Sequence, residues 1–220
     1  IISSPMDTIS ESDMATSMSQ AGGMAVIHRY NSIEGQVDII KRAYELTGES
    51  LIVGAAIGVS GDYIERAQAL IESGVHMLCL DVAHGHHVLM KEALSEIRKI
   101  TDRHGTHIMA GNVATLEGVN DLSDWGAHSV RCNIGGGSIC STRIQTGHGL
   151  PGLDTIFRCA ATDRDVKIIA DGGIKNSGDM VKALAAGADA VMVGSLLSGT
   201  HETPGQSHKD STGRMWKTYR

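Results

Sequence analysis

Short apolar runs alternate along this chain with longer stretches in which apolar residues return every three to four positions. The runs Ile1–Ser4, Met24–His28, Leu51–Ile57, His76–Asp81, His107–Asn112, Ser129–Asn133, Lys167–Asp171 and Ala190–Ser195 read as eight strands. Between them, Met14/Met18/Ala21, Ile64/Ala67/Leu70/Ile71 and Val181/Leu184/Ala185 have helical spacing and predict amphipathic helices with an apolar stripe turned to a sheet. Three helix exits repeat one pattern: Gly74-Val75-His76, Gly126-Ala127-His128 and Gly187-Ala188-Asp189 each lead straight into a strand. Glycine there supplies the left-handed stop of a helix.

Strands alternating with helices predict a parallel sheet with right-handed crossovers, and eight such units suit a closed (β/α)8 barrel (TIM barrel) of the α/β class. A doubly wound open sheet is the alternative, but no G-x-G-x-x-G follows the first strand. No linker rich in Pro, Gly or Ser divides the chain, so residues 1–220 read as one barrel domain. The stretch after Gly199 is polar and turn-rich and predicts an extended loop. Polar residues gather where strands end: Ser4-Pro5-Met6-Asp7, His28-Arg29, Asp81-Val82-Ala83-His84, Asn112, Asn133, Asp171-Gly172-Gly173 and Gly194-Ser195. A barrel brings these ends to one rim, where active sites are built.

Composition narrows the partners. A net charge of −6 with scattered Lys and Arg gives no basic footprint for nucleic acid. No run reaches the about 18 apolar residues of a membrane span. The four cysteines form no CxxC pair, which predicts a reducing, cytoplasmic setting. The chain opens on Ile1-Ile2 without an initiator Met and closes on Lys217-Thr218-Tyr219-Arg220, so both ends read as cut from a longer protein.

The richest chemistry lies in Arg131-Cys132-Asn133-Ile134-Gly135-Gly136-Gly137-Ser138-Ile139-Cys140-Ser141-Thr142-Arg143. A loop of glycines and hydroxyl residues is a poor place to bury an apolar thiol. Cys140 therefore reads as a nucleophile, shifted toward thiolate by backbone dipoles and by Arg131 and Arg143, which are close in sequence. Cys79, Cys132 and Cys159 read as small buried hydrophobes. The three glycines suit carbonyls converging on a cation or amides meeting a phosphate. Asp171-Gly172-Gly173 and Gly194-Ser195 follow the last two strands, where barrels often bind phosphate; a carboxylate repels phosphate, so Asp171 better suits ribose hydroxyls. His84-Gly85-His86-His87 lacks the partners that complete a zinc site. His104, His148, His201 and His208 read as solvated.

These motifs resemble the IMP dehydrogenase/GMP reductase family along nearly the whole chain. The matching stretches are Ser4-Pro-Met-Asp-Thr8, Val53-Gly-Ala-Ala-Ile-Gly58, Asp81-Val-Ala-His-Gly85, Ala110-Gly-Asn-Val-Ala-Thr115, Gly135-Gly-Gly-Ser-Ile-Cys-Ser-Thr-Arg143, Ala170-Asp-Gly-Gly-Ile174, Gly194-Ser-Leu-Leu197 and Tyr219-Arg220. The resemblance implies a (β/α)8 barrel, usually a homotetramer, acting on a purine nucleoside monophosphate with a nicotinamide cofactor. It implies that Cys140 attacks purine C2 and that Thr142 helps activate water or ammonia. Ser138, Gly173, Gly194, Ser195 and Tyr219 would hold phosphate, Asp171 the ribose, and Ser4 with Met6 would lie near the purine. Asp81 and Asn112 would face the cofactor, with Arg131 supporting the loop. Carbonyls of Gly135, Gly137 and Cys140 correspond to the site of a monovalent cation such as potassium.

The dehydrogenase branch passes hydride from IMP to NAD and releases XMP; the reductase branch converts GMP to IMP with NADPH. Gly199-Thr-His-Glu-Thr-Pro-Gly205 and the Tyr219-Arg220 ending are closer to the dehydrogenase, whereas a compact chain without CBS domains favours the reductase. A non-catalytic nucleotide-binding barrel is the reading from another class. The chain departs from the family pattern at Asn133, where glycine is usual, and at Gly136, where proline or serine is common. The segment and flap that follow Tyr219-Arg220 in the family, with its glutamate, lie outside this sequence.

Overall fold

The computed structural model describes residues 1–220, Glu49 by its backbone alone. Eight parallel strands close into a barrel in chain order: β1 (Ile2–Ser3), β2 (Met24–Ile27), β3 (Val53–Ile57), β4 (Met77–Asp81), β5 (His107–Val113), β6 (Ser129–Cys132), β7 (Lys167–Asp171) and β8 (Ala190–Val193). The seam closes where Ile2 pairs with Met192 and Ser3 with Val193. The helices between them are α1 (Ser12–Gln20), α2 (Ile33–Thr47), α3 (Tyr63–Glu72), α4 (Val88–Thr101), α5 (Leu116–Asp124), α6 (Thr142–Thr146), α7 (Gly152–Cys159) and α8 (Ser177–Ala185). The (β/α)8 expectation is met. No helix among the described residues is long and apolar enough to cross a membrane.

Alternate strand residues divide into two cores, as the two-residue period of a strand requires. Ile2, Val26, Ala56, Met77, Cys79, Met109, Ile169 and Met192 fill the barrel. Their neighbours, among them Ile27, Ile57, Leu78, Leu80, Ile108 and Val191, pack outward under the helices. With one Phe in the whole chain, methionines act as the adaptable space-fillers of the interior. Gly54 makes room for one of them, since a Cβ there would stand 2.6 Å from Met77 Cε.

The Gly-x-His/Asp exits do more than stop helices. Gly74, Gly126 and Gly187 take φ of +91°, +113° and +106°. The residue two positions on then grips one residue of the preceding strand at both of its backbone groups. His76 donates its N–H to Val53 O at 2.9 Å and accepts the Val53 N–H at Nδ1 at 3.4 Å. His128 does the same to Ile108 at 2.9 Å each way. Asp189 does so to Ile168 at 2.8 Å each way, its acceptor being Oδ2. These clamps hold β3 to β4, β5 to β6 and β7 to β8 at the floor of the barrel.

The structure corrects several boundaries. Only Lys167–Asp171 is met at both ends; β1, β2, β6 and β8 stop short of the polar residues at the rim, β3 starts at Val53, and β4 starts at Met77. β5 instead runs on to Val113 through a register shift between Gly111 and Val113. The expected apolar stripe of α8 is also corrected. Val181 and Leu184 are exposed, and Ala183 is the residue that packs inward. The stretch after Gly199 is more than a loop: β9 (His208–Lys209) and β10 (Met215–Trp216) form an antiparallel hairpin before the chain returns to the rim.

Candidate active site

The strand ends enclose a cavity of about 680 Å³ at the carboxyl end of the barrel. The site residues that the family resemblance implies all line it: Ser4, Met6, Asp81, Asn112, Arg131, Gly135, Gly137, Ser138, Cys140, Thr142, Asp171, Gly173, Gly194, Ser195 and Tyr219.

Its floor is an ion network. Arg131, inward-facing on β6 and buried, donates from Nη1 to Asp81 Oδ1 at 2.5 Å and from Nη2 to Asp171 Oδ2 at 2.8 Å. Burial works against the guanidinium charge, but the Asp171 and Asp81 carboxylates outweigh it and hold the group protonated well above its ordinary value. Asn112 Nδ2 joins the network, donating to Asp171 Oδ2 at 2.7 Å and to Asn133 O at 2.8 Å. Four strand ends, those of β4, β5, β6 and β7, are thereby fixed to one another, and the Asn112 side-chain carbonyl is left to accept.

The loop after β6 starts with a sharp turn at Asn133, whose φ is +103°. Its backbone lies on the glycines that end β7: a Cβ at Gly172 would stand 2.9 Å from Gly137 N. Cys140 is exposed. Its N–H donates to Gly137 O at 3.1 Å and its thiol to Thr142 Oγ1 at 3.3 Å. The expected influence of the two arginines is corrected. Arg131 is spent on the floor, and Arg143 donates to Ile134 O at 3.0 Å, Asn133 Oδ1 at 2.9 Å and Leu150 O at 2.7 Å. Arg143 braces the loop from behind and Arg131 ties the strand ends beneath it, so neither guanidinium is bonded to the Cys140 sulfur. Cys79, Cys132 and Cys159 are buried as expected, and burial pushes the Cys79 thiol up to about 11.

The opposite wall joins β8, β1 and the returning tail. A Cβ at Gly194 would meet Met6 Sδ at 3.1 Å, Ser4 Oγ at 3.3 Å and Tyr219 Oη at 3.4 Å, so glycine permits this convergence. Ser138 Oγ donates to Tyr219 Oη at 3.4 Å, closing the wall against the cysteine loop. Gly173 and Ser195 lie between them on the rim. Arg220 anchors the tail by donating to Asp7 Oδ2 at 2.8 Å, while Thr8 Oγ1 donates to Arg220 O at 3.1 Å.

Sequence reasoning left Asp7, Arg29 and Tyr30 without roles, although they line the same cavity. The signal was present for Asp7 and Arg29, which sit in the strand-end clusters. The buried Nε of Arg29 has no partner in the structure. The histidine cluster holds local structure: His86 Nε2 lies 2.7 Å from Asp121 Oδ2, and His87 Nδ1 accepts the Leu89 N–H at the start of α4. No group of three metal-ligating side chains occurs among the described residues. His104, His148, His201 and His208 are exposed.

Comparison with known proteins decides the family. A model described as "IMP dehydrogenase / GMP reductase domain" matches residues 1–220. The chain belongs to the IMP dehydrogenase/GMP reductase family. Inosine-5'-monophosphate dehydrogenase of Halalkalibacterium halodurans is 45% identical over 204 residues, covering 91% of this chain and 41% of the relative. That of Bacillus subtilis is 40% identical over 223 residues, covering 97% and 45%. The crystal structure of inosine 5' monophosphate dehydrogenase from Legionella pneumophila superposes with a TM-score of 0.90 at 44% identity, over 100% of this chain and 65% of that one. The chain thus spans under half the length of these two relatives.

Proposed function

We propose that residues 1–220 are a single catalytic barrel domain of an IMP dehydrogenase, with Cys140 as the nucleophile. The observation that carries this reading is an exposed thiol on a glycine loop. It faces a cavity whose far wall, Gly194 and Tyr219, meets Ser138 of the same loop in a pocket that suits a phosphate. The phosphate would sit on Ser138, Gly173, Gly194, Ser195 and Tyr219, where hydroxyls and glycine backbone offer donors without carboxylates. Asp171 would accept from ribose hydroxyls, and Ser4 and Met6 would pack beside the purine. Cys140 Sγ would then add to C2 of the base. NAD supplies the hydride acceptor for the hydrogen on that carbon. Water, positioned by Thr142, would add to the resulting thioimidate; the C–S bond breaks, XMP leaves and the thiol is restored.

The residues present fit a dinucleotide. Asn112 has its amide NH2 occupied and its side-chain carbonyl free for a carboxamide, with Asp81 and Arg131 beneath. Arg29 supplies a cation with an orphaned buried Nε. The loop also fits a potassium ion in part. Carbonyls of Gly135, Gly137 and Cys140 offer three oxygens of the all-oxygen shell that hard cations take, although Gly137 O already accepts one hydrogen bond. The exposed Ile144, Leu153, Phe157, Val181 and Leu184 on α6, α7 and α8 support self-association, which the family resemblance gives as a homotetramer. The unpaired thiols support a cytoplasmic setting.

The test follows nicotinamide absorbance in full-length protein given IMP with NAD+, then GMP with NADPH. NADH formed only with IMP supports the dehydrogenase. Oxidation of NADPH by GMP instead means a reductase, and silence in both with IMP still bound means a non-catalytic barrel.

A further inference from the structure

Asn133 is the one non-glycine residue with a positive φ in the described chain, and it is buried. Asparagine tolerates that conformation better than most residues, yet it still stores strain that its surroundings must hold. Here they do so on every side. The Asn133 N–H donates to Val113 O at 2.8 Å, and its carbonyl accepts from Asn112. Its Nδ2 donates to Asp171 O at 2.8 Å, and its Oδ1 accepts from Arg143 Nη2 at 2.9 Å. One side chain therefore joins the end of β7 to the helix that follows Cys140.

The space around the amide is as specific as its bonds. A Cβ at Gly136 would fall on the Asn133 amide nitrogen, far inside contact distance, and one at Gly152 would stand 3.2 Å from it. Nothing larger than glycine fits at 136 while Asn133 holds this position. We propose that the Asn133 side chain is a strut that sets the seat of the Cys140 loop on β7, and that Asn133 and Gly136 act as one coupled pair. Asn133 is thus a positioning residue: it acts through the loop and touches no reacting atom. Its consequence for turnover rests on the reading of Cys140 as nucleophile; the steric coupling does not.

A double-variant cycle on the full-length protein separates the two. N133G, G136A and N133G/G136A are compared by the rate of Cys140 alkylation with iodoacetamide, and by kcat and KM with IMP and NAD+. Either single change is expected to lower kcat about tenfold with KM within about twofold, because a misplaced nucleophile costs reaction geometry before affinity. Each is also expected to change the rate of Cys140 alkylation at pH 7.5 by about twofold or more, because the loop that presents the thiol is reseated. The double variant is expected to be no worse than N133G. A loss equal to the product of the singles, about a hundredfold, overturns the coupling. A wild-type kcat and alkylation rate in N133G overturns the strut. Should either glycine-site change prevent folding, N133D decides: it keeps the acceptor for Arg143 but loses the donor to Asp171 O, and wild-type behaviour overturns the proposal. Absence of IMP turnover in wild type would refute the dehydrogenase reading while leaving the alkylation cycle to judge the strut.

Discussion

Arg131 Nη2 donates to Asp171 Oδ2 at 2.8 Å, tying the end of β6 to the end of β7 while its other arm reaches Asp81 on β4. Removing the guanidinium strands two carboxylates that are mostly shielded from water. Breaking such a triad typically costs about 3–5 kcal/mol. Arg131→Met should therefore lower the urea midpoint strongly, and Arg131→Lys should recover only part, because an ammonium cannot span both carboxylates as a fork does. Chemical denaturation of the three proteins checks this.

Cysteine reactivity should be confined to one site. Cys140 is exposed, whereas burial raises the Cys79 thiol to about 11 and Cys132 and Cys159 lie in the core. Iodoacetamide at pH 7.5 should label the Cys140 peptide in native protein and all four cysteines only after unfolding. Peptide mass spectrometry reads the outcome; native labelling of Cys79 would contradict the packing.

The His128 clamp and its neighbour His107 should make stability depend on pH. Burial lowers both His107 and His128; His107 is lowered further by its neighbour His128, and His128 by Arg98, with Asp102 opposing. Because the folded values lie below the ordinary imidazole value of about 6.5, the unfolded chain takes up protons first as pH falls. The stability these neutral rings contribute is complete above about 6.5 and is lost as pH drops through the window beneath it. Tm should fall from pH 7 to 5.5. His128→Asn should flatten that slope, since a side-chain carbonyl can accept the Ile108 N–H as Asp189 accepts that of Ile168.

The tail should matter more for binding than for folding. Arg220 meets Asp7 at the surface, where ion pairs add little stability. That contact nevertheless places Tyr219 against Ser138 and Gly194. Asp7→Ala should raise the KM for IMP about fivefold or more while Tm stays within about 2 °C, in line with a contact that positions rather than stabilises. Steady-state kinetics with a thermal melt checks both.

The barrel was legible because its signals are local: apolar runs, helical spacing and the glycines before His76, His128 and Asp189. The rim was legible for the same reason, since polar residues follow each run directly. Strand ends were overextended because Asn133 or Gly194 can continue a run on paper, whereas the rim turns there to build the site. The Arg131 network was hidden, as its members lie on β4, β6 and β7 and meet only when the barrel closes. Sequence proximity also misled: Arg143 is three residues from Cys140 yet points behind the loop. The outward face of α8 shows the same limit, because helical spacing locates a stripe without saying what covers it.

Whether Cys140 bonds to the purine during turnover is read by acid-quenched mass spectrometry of full-length protein with IMP and NAD+. A nucleotide adduct is expected on the Cys140 peptide, with neither adduct nor NADH in Cys140→Ser that still binds IMP. NADH production by Cys140→Ser, or steady turnover of wild type with no adduct at Cys140, would contradict a covalent role for Cys140.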